Sequence, residues 1–130
     1  MGSGMARSLR RAGFPVHVFD VRSDVALAFA SEGGTASPTL DALAAASDVV
    51  VSVVVNAAQT EAVLFGAGNG EGGCAASMKP GSVFVMCSTV DPAWSEALEA
   101  RLAAMGISYI DAPISGGAAK AASGEMTMMT

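Results

Sequence analysis

The sequence predicts an α/β fold: a doubly wound, mostly parallel sheet with helices on its faces. Three observations carry this. Helix-patterned and strand-patterned segments alternate along the chain, and such alternation joins parallel strands by right-handed crossovers. The run Asp48–Val55, DVVVSVVV, is apolar and β-branched, the pattern of a strand covered on both faces. The composition is rich in Ala, Val and Gly and poor in aromatics, which suits a buried parallel sheet.

The elements follow in order. Met5, Ala6, Leu9 and Ala12 recur at helical spacing after Gly2, and Gly13 supplies a C-terminal cap. Val16–Phe19 is a short strand that stops at Asp20. Ser23 or Asp24 caps a helix running to about Glu32, which Gly33 and Gly34 stop. Thr35–Ser37 is a brief edge strand, and Pro38–Ala46 a short helix with Thr39 as its cap. Asp48–Val55 is the clearest strand; Asn56 ends it, and a helix runs from about Ala58 to Phe65. The glycine-rich stretch from Gly66 to Gly73 reads as a surface loop, because it lacks the Lys-Ser/Thr ending of a phosphate-binding loop. Lys79-Pro80-Gly81 is a turn, Ser82–Cys87 a strand, and Ser88-Thr89 lie just past its end. Asp91 and Pro92 open a helix to about Met105, closed by Gly106. Ile107–Ile110 is a strand, Ile114-Ser115-Gly116-Gly117 a tight glycine turn, Ala118–Ala122 a small helix, and Met126–Met129 an apolar tail.

At 130 residues the chain is one domain at most, large enough to bury a core. No apolar run approaches the roughly 20 residues needed to span a membrane, and no signal core follows Arg7, Arg10 and Arg11. A cytoplasmic protein without a membrane partner is expected. A net charge of −5, with no basic stripe or aromatic platform, argues against nucleic-acid binding. Cys74 and Cys87 have neither metal spacing nor a disulfide framework, and His17 is the only histidine. No metal site and no histidine-based catalytic triad are expected.

Four features fall beyond the carboxyl ends of the strands, where open α/β sheets bind ligands: Asp20, Asn56, Ser88-Thr89 and the Ser115-Gly116-Gly117 turn. The beginning, Met1 to Asp20, reads as the second half of a dinucleotide-binding unit. The helix start at Gly2 would meet the pyrophosphate and Asp20 the ribose hydroxyls. Alternatively, Asp20 caps the next turn. Its charge disfavours a 2′-phosphate, so NAD is expected over NADP, although Arg22 could pair with such a phosphate. Asn56 and Thr89 could meet the ribose or nicotinamide, or cap the strand ends. Amides and the hydroxyl of the Ser115 turn could hold a carboxylate, or the turn is an ordinary one.

These residues also resemble a family. MGSGMARSL is similar to the end of the G-L-G-x-M-G-x-x-M-A signature of the β-hydroxyacid dehydrogenases, with Met1-Gly2, Met5-Ala6 and Ser8 in place. Cys87-Ser88-Thr89-Val90-Asp91-Pro92 resembles its S-S-T-x-x-P segment. Asp111-Ala112-Pro113-Ile114-Ser115-Gly116-Gly117, with Ala121 and Gly124, resembles its D-A-P-V-S-G-G-x-x-x-A-x-x-G signature. Asn56–Glu61 is most similar to the branch that acts on L-threonate. The resemblance implies hydride transfer between a short 3-hydroxy acid and NAD. It places Gly2, Asp20, Val54, Val55, Asn56 and Thr89 at the cofactor, and Ser88, Ser115, Gly116 and Gly117 at the substrate.

The resemblance also sets limits. The family's general acid/base is a lysine on a helix that opens a second, all-helical domain. The only lysines here, Lys79 and Lys120, match no such position, so no catalytic residue is assigned and the chain alone is expected to be inactive. The first strand and the first two fingerprint glycines would precede Met1. Residues 1–130 are therefore expected to form a partial NAD(P)-binding, Rossmann-like domain, lacking its first strand and the helical domain, with open edges on Val16–Phe19 and Val49–Val55. A homo-oligomer is expected of the full-length protein. The competing reading is a non-catalytic binding module on the same fold, or an inactive fragment.

Overall fold

The computed structural model describes residues 2–20, 22–54, 56–66, 73–88, 90–112, 114–115 and 127–128; backbone alone is described at 2–3, 23, 114–115 and 127–128. Five helices and seven short strands are found among them: α1 Gly2–Arg11, β1 His17–Val18, α2 Ser23–Ser31, β2 Thr35–Ala36, α3 Leu40–Ala45, β3 Val49–Ser52, α4 Ala57–Phe65, β4 Val83–Met86, α5 Pro92–Ala103, β5 Ser108–Asp111, β6 Ile114–Ser115 and β7 Thr127–Met128. A 3-10 turn, Ala75–Ser77, has no counterpart in the sequence reading.

The local signals are borne out where they are strongest. Gly13 adopts φ +96° beyond α1, and Phe14 N–H donates to Leu9 O at 3.2 Å, the long bond of a glycine-closed helix end. Thr39 accepts from Ala42 N–H, Asn56 from Gln59 N–H and Asp91 from Ala93 N–H, so α3, α4 and α5 each start on a side-chain cap. The cap of α2 differs. Its N-cap is Arg22 in extended backbone, without a side-chain cap bond, and Asp24 lies inside the first turn.

The sheet is built from parallel ladders. β1 pairs β2, and β3–β4–β5 form a second ladder in which Ser52, Met86 and Asp111 share one level. No ladder joins the two among the described residues, so β1 and β3 each keep an edge without a strand partner there. Two corrections concern strands. Ile114-Ser115 is not simply a turn: it pairs antiparallel with Thr127-Met128, which agrees with the mostly parallel architecture expected. β3 is covered on one face only, with Val49 53% and Val51 38% exposed. The expected small helix at 118–122 lies outside the described residues.

Alternation along the strands sends Val50, Phe84 and Met86 to one face. There they pack with Ala44 of α3, Leu64 of α4, Leu98 and Leu102 of α5, and Cys74, Ala75 and Met78 around the 3-10 turn. α1 approaches the other face, and only at the carboxyl end, where Met5 joins Cys87, Val53 and Val85. Arg101 and the Trp94 indole N–H both donate to Glu61 Oε1 at 3.1 Å, and the Arg101 guanidinium lies 4.0 Å over the Phe65 ring, tying α4 to α5. Among the described residues no helix is long and apolar enough to cross a membrane.

Ser52 Oγ is buried without a hydrogen-bond partner at the end of β3. Burying an unsatisfied hydroxyl costs about 1–3 kcal/mol. Ser52→Ala is therefore expected to leave stability unchanged or to raise it by about 1 kcal/mol in urea unfolding. A clear loss would mean that the hydroxyl has a bound partner.

Candidate functional site

The fold brings the carboxyl ends of β3, β4 and β5 side by side and sets the first turn of α1 over two of them. Met5 packs with Cys87, which follows β4, in a cluster that Val53, which follows β3, also joins. The amino end of α1 therefore opens on this edge with no acidic residue in its first turn. Free backbone N–H groups and the positive end of the helix dipole gather there, an environment that favours an anion.

Asp20 lies beyond β1 and is exposed. Its Oδ1 accepts from Arg22 N–H at 2.9 Å, so the carboxylate does cap the following turn. One such bond leaves acceptor capacity on a carboxylate, which carries about four lone-pair sites. The Arg22 guanidinium lies 3.6 Å from Asp24, both well exposed, so Arg22 has a local counter-ion.

Asn56, Ser88 and Ser95 have definite partners. Asn56 caps α4 through its side-chain oxygen. Ser88 is 3% exposed and donates its hydroxyl proton to Val54 O at 2.7 Å. Its placement therefore provides a strand-to-strand tie, where the resemblance assigned it to substrate. Val54 is half-buried, and its carbonyl is the acceptor in that tie. Ser95 Oγ lies 2.7 Å from the Tyr109 hydroxyl and donates to Asp111 Oδ2 at 2.9 Å, anchoring the end of β5 to α5. Ser115 is described in backbone alone, while Val55, Thr89, Gly116 and Gly117 lie outside the described residues.

A cleft of about 220 Å³ between α5 and β5 is lined by Pro92, Ser95, Glu96, Glu99, Tyr109 and Asp111. Its three carboxylates repel phosphate, and burial, the Asp111 and Glu99 charges adding to it, raises the Tyr109 phenol. It does not suit a dinucleotide. Burial pushes the Cys74 thiol up to about 11 and also raises Cys87, so neither is a thiolate nucleophile at neutral pH. Among the described residues no group of three His, Cys, Asp or Glu could hold a metal ion. Lys79 pairs with Asp48 at 3.6 Å, away from this edge.

The NAD binding domain of 6-phosphogluconate dehydrogenase, as a family model, matches residues 1–130. This chain belongs to that family. It is 54% identical over 130 residues to L-threonate dehydrogenase of Cupriavidus necator, covering 100% of this chain and 42% of that protein. The crystal structure of 3-hydroxyisobutyrate dehydrogenase from Salmonella typhimurium superposes with a TM-score of 0.90 at 40% identity, over 98% of this chain and 43% of that one. Psf3 in complex with NADP+ and 2-OPP matches with a TM-score of 0.83 at 28% identity, over 98% of this chain and 44% of that one. The chain thus spans well under half the length of these proteins. The fold is Rossmann-like, as the sequence predicted.

Two features escaped the sequence reading. The Ser88–Val54 bond spans 34 residues and leaves no spacing signal. The role of Glu61 was also hidden: within the segment most similar to the L-threonate branch, Asn56 and Glu61 make a helix cap and a helix–helix tie.

Proposed function

We propose that residues 1–130 are the cofactor-binding part of a dehydrogenase that moves hydride between a short 3-hydroxy acid of the L-threonate type and NAD. The observation that carries this reading is the seating of the amino end of α1 over the ends of β3 and β4, with Asp20 beyond β1. The α1 amides would hold the pyrophosphate, and Asp20 the adenosine ribose hydroxyls. Asn56, Val54 and the neighbouring Val55 and Thr89 would border the nicotinamide half. Ser115 and the following Gly116 and Gly117 would receive the substrate carboxylate. When bound, the nicotinamide supplies the hydride acceptor. The chain's own residues bind and orient, and none of those described is placed as a proton acceptor.

The preference for NAD rests on charge. Asp20 is exposed and anionic, and Arg22 has Asp24 as counter-ion, so a 2′-phosphate would meet a carboxylate before a free guanidinium. The substrate assignment rests on the 54% identity to an L-threonate dehydrogenase.

Titration of the chain with NADH and NADPH, followed by nucleotide fluorescence, tests the cofactor reading. Saturable NADH binding is expected, tighter than NADPH. Asp20→Asn keeps an acceptor for Arg22 N–H but removes the charge; it should shift the NADH:NADPH affinity ratio by roughly tenfold toward NADPH, about 1.4 kcal/mol. No turnover of L-threonate with NAD is expected from this chain alone. Absence of saturable binding by either nucleotide would overturn the proposal.

A further inference from the structure

We infer that Ser88 is a positioning residue for the nicotinamide half of the cofactor, acting through the Val54 carbonyl; this rests on the cofactor reading above. Among the described residues, the last ladder bond between β3 and β4 is Cys87 N–H to Ser52 O, at 3.0 Å. Past it, both chains leave the sheet, one toward α4 on its Asn56 cap and the other toward α5 on its Asp91 cap. The Ser88 hydroxyl makes one further cross-strand tie, 2.7 Å to Val54 O, from a side chain that is almost wholly buried. It holds the Val54 carbonyl two residues before the Asn56 cap.

The topology says which part of a dinucleotide feels this tie. β1, followed by Asp20, belongs to one ladder, and β5, followed by the Ser115 segment, closes the far edge of the other. A molecule that lies on Asp20 at its adenosine end, and brings its reacting ring toward the Ser115 segment, crosses the ends of β3 and β4. The Ser88–Val54 bond sits at that crossing. Without the hydroxyl, Val54 O loses that buried donor, and the Asn56 cap two residues on is held less firmly. The adenosine end, held by Asp20, is untouched.

The test compares Ser88→Ala with Ser88→Thr, which keeps the hydroxyl, using amide exchange and the affinities for NADH and ADP-ribose. In Ser88→Ala, exchange is expected to rise about tenfold at Gln59 and Thr60, whose amides donate to Asn56, roughly the loss of one buried hydrogen bond, while Val85 and Ile110 stay protected. NADH affinity should fall about tenfold and ADP-ribose affinity less than about twofold, because the ligand without nicotinamide does not reach the tie. Ser88→Thr should restore both. Faster exchange throughout β3–β5, or equal losses for the two nucleotides, would overturn the inference and leave Ser88 a structural residue only. If the unaltered chain binds neither nucleotide, the cofactor reading and this inference fall together, whereas nucleotide binding that is unmoved by Ser88→Ala sinks this inference alone.

Discussion

Phe84→Ala is expected to cost about 3–5 kcal/mol, the range for removing a fully buried aromatic side chain. Phe84 is 0% exposed on β4, the middle strand of the larger ladder, with Val50 and Tyr109 as its register partners. Its ring packs in the cluster that joins Leu64, Leu98, Leu102 and Ile107 to the sheet. The cavity left by alanine would collapse poorly, because ladders on both sides fix the backbone around it. Natural domains have only about 5–15 kcal/mol of stability, so such a loss takes a large share of the total. Urea unfolding followed by circular dichroism should show a lower midpoint with an unchanged slope. Phe14→Ala is the control. Phe14 is 60% exposed, and its removal should cost under about 0.5 kcal/mol. If the two variants lose similar amounts, the assignment of Phe84 to the centre of the core is wrong.

The contrast between Phe84 and Phe14 shows what the sequence could and could not reveal. Both flank glycine or valine in short apolar stretches, yet only the strand alternation around Phe84 marks it as buried. Local signals were legible because their partners are local: Thr39, Asn56 and Asp91 cap the amides two or three residues on. Arg22 escaped because its capping position depends on backbone direction, with no side-chain bond to signal it. The run from Val49 to Val55 predicted burial on both faces, and Val49 and Val51 are exposed. An apolar pattern reports that a face is suited to being covered; it does not report what covers it. On the sheet, the α1 residue Met5 clusters with Val53, Val85 and Cys87, away from Val49 and Val51. The places of Asp20 after β1 and of Asn56 at the start of α4 were legible from the strand pattern alone. The roles of Ser88, Ser95 and Glu61 were not, since each depends on a partner from 14 to 40 residues away.

Gly73→Ala carries the other large expected effect, although Gly73 reads in the sequence as the end of a surface loop. A Cβ at this position would lie 2.1 Å from the Leu64 carbonyl carbon and 2.2 Å from both Leu64 O and Phe65 N. These are backbone atoms in the last turn of α4, which no side-chain rotation can move aside. The neighbouring bond shows why the approach is so close: Cys74 N–H donates to Val63 O at 2.8 Å, satisfying one of the carbonyls that a helix end leaves without a partner. An alanine must push the 73–75 backbone off the helix. That weakens the Cys74–Val63 bond and draws Cys74, 0% exposed, and Ala75, 2% exposed, out of the core. Overpacking alone costs about 1–3 kcal/mol, and the strained bond adds about 1, so a loss of about 3 kcal/mol is expected in urea unfolding. Gly81→Ala separates this from ordinary backbone strain. Gly81 has φ +87° with nothing within 4 Å of its Cβ position, and should lose only about 1–2 kcal/mol. A thiol reagent gives a second readout. Burial holds the Cys74 thiol at about 11, so it reacts slowly at pH 8; in Gly73→Ala it should react markedly faster, while in Gly81→Ala it should not. Equal stability losses and unchanged thiol reactivity in the two variants would show that the helix end can yield at Gly73.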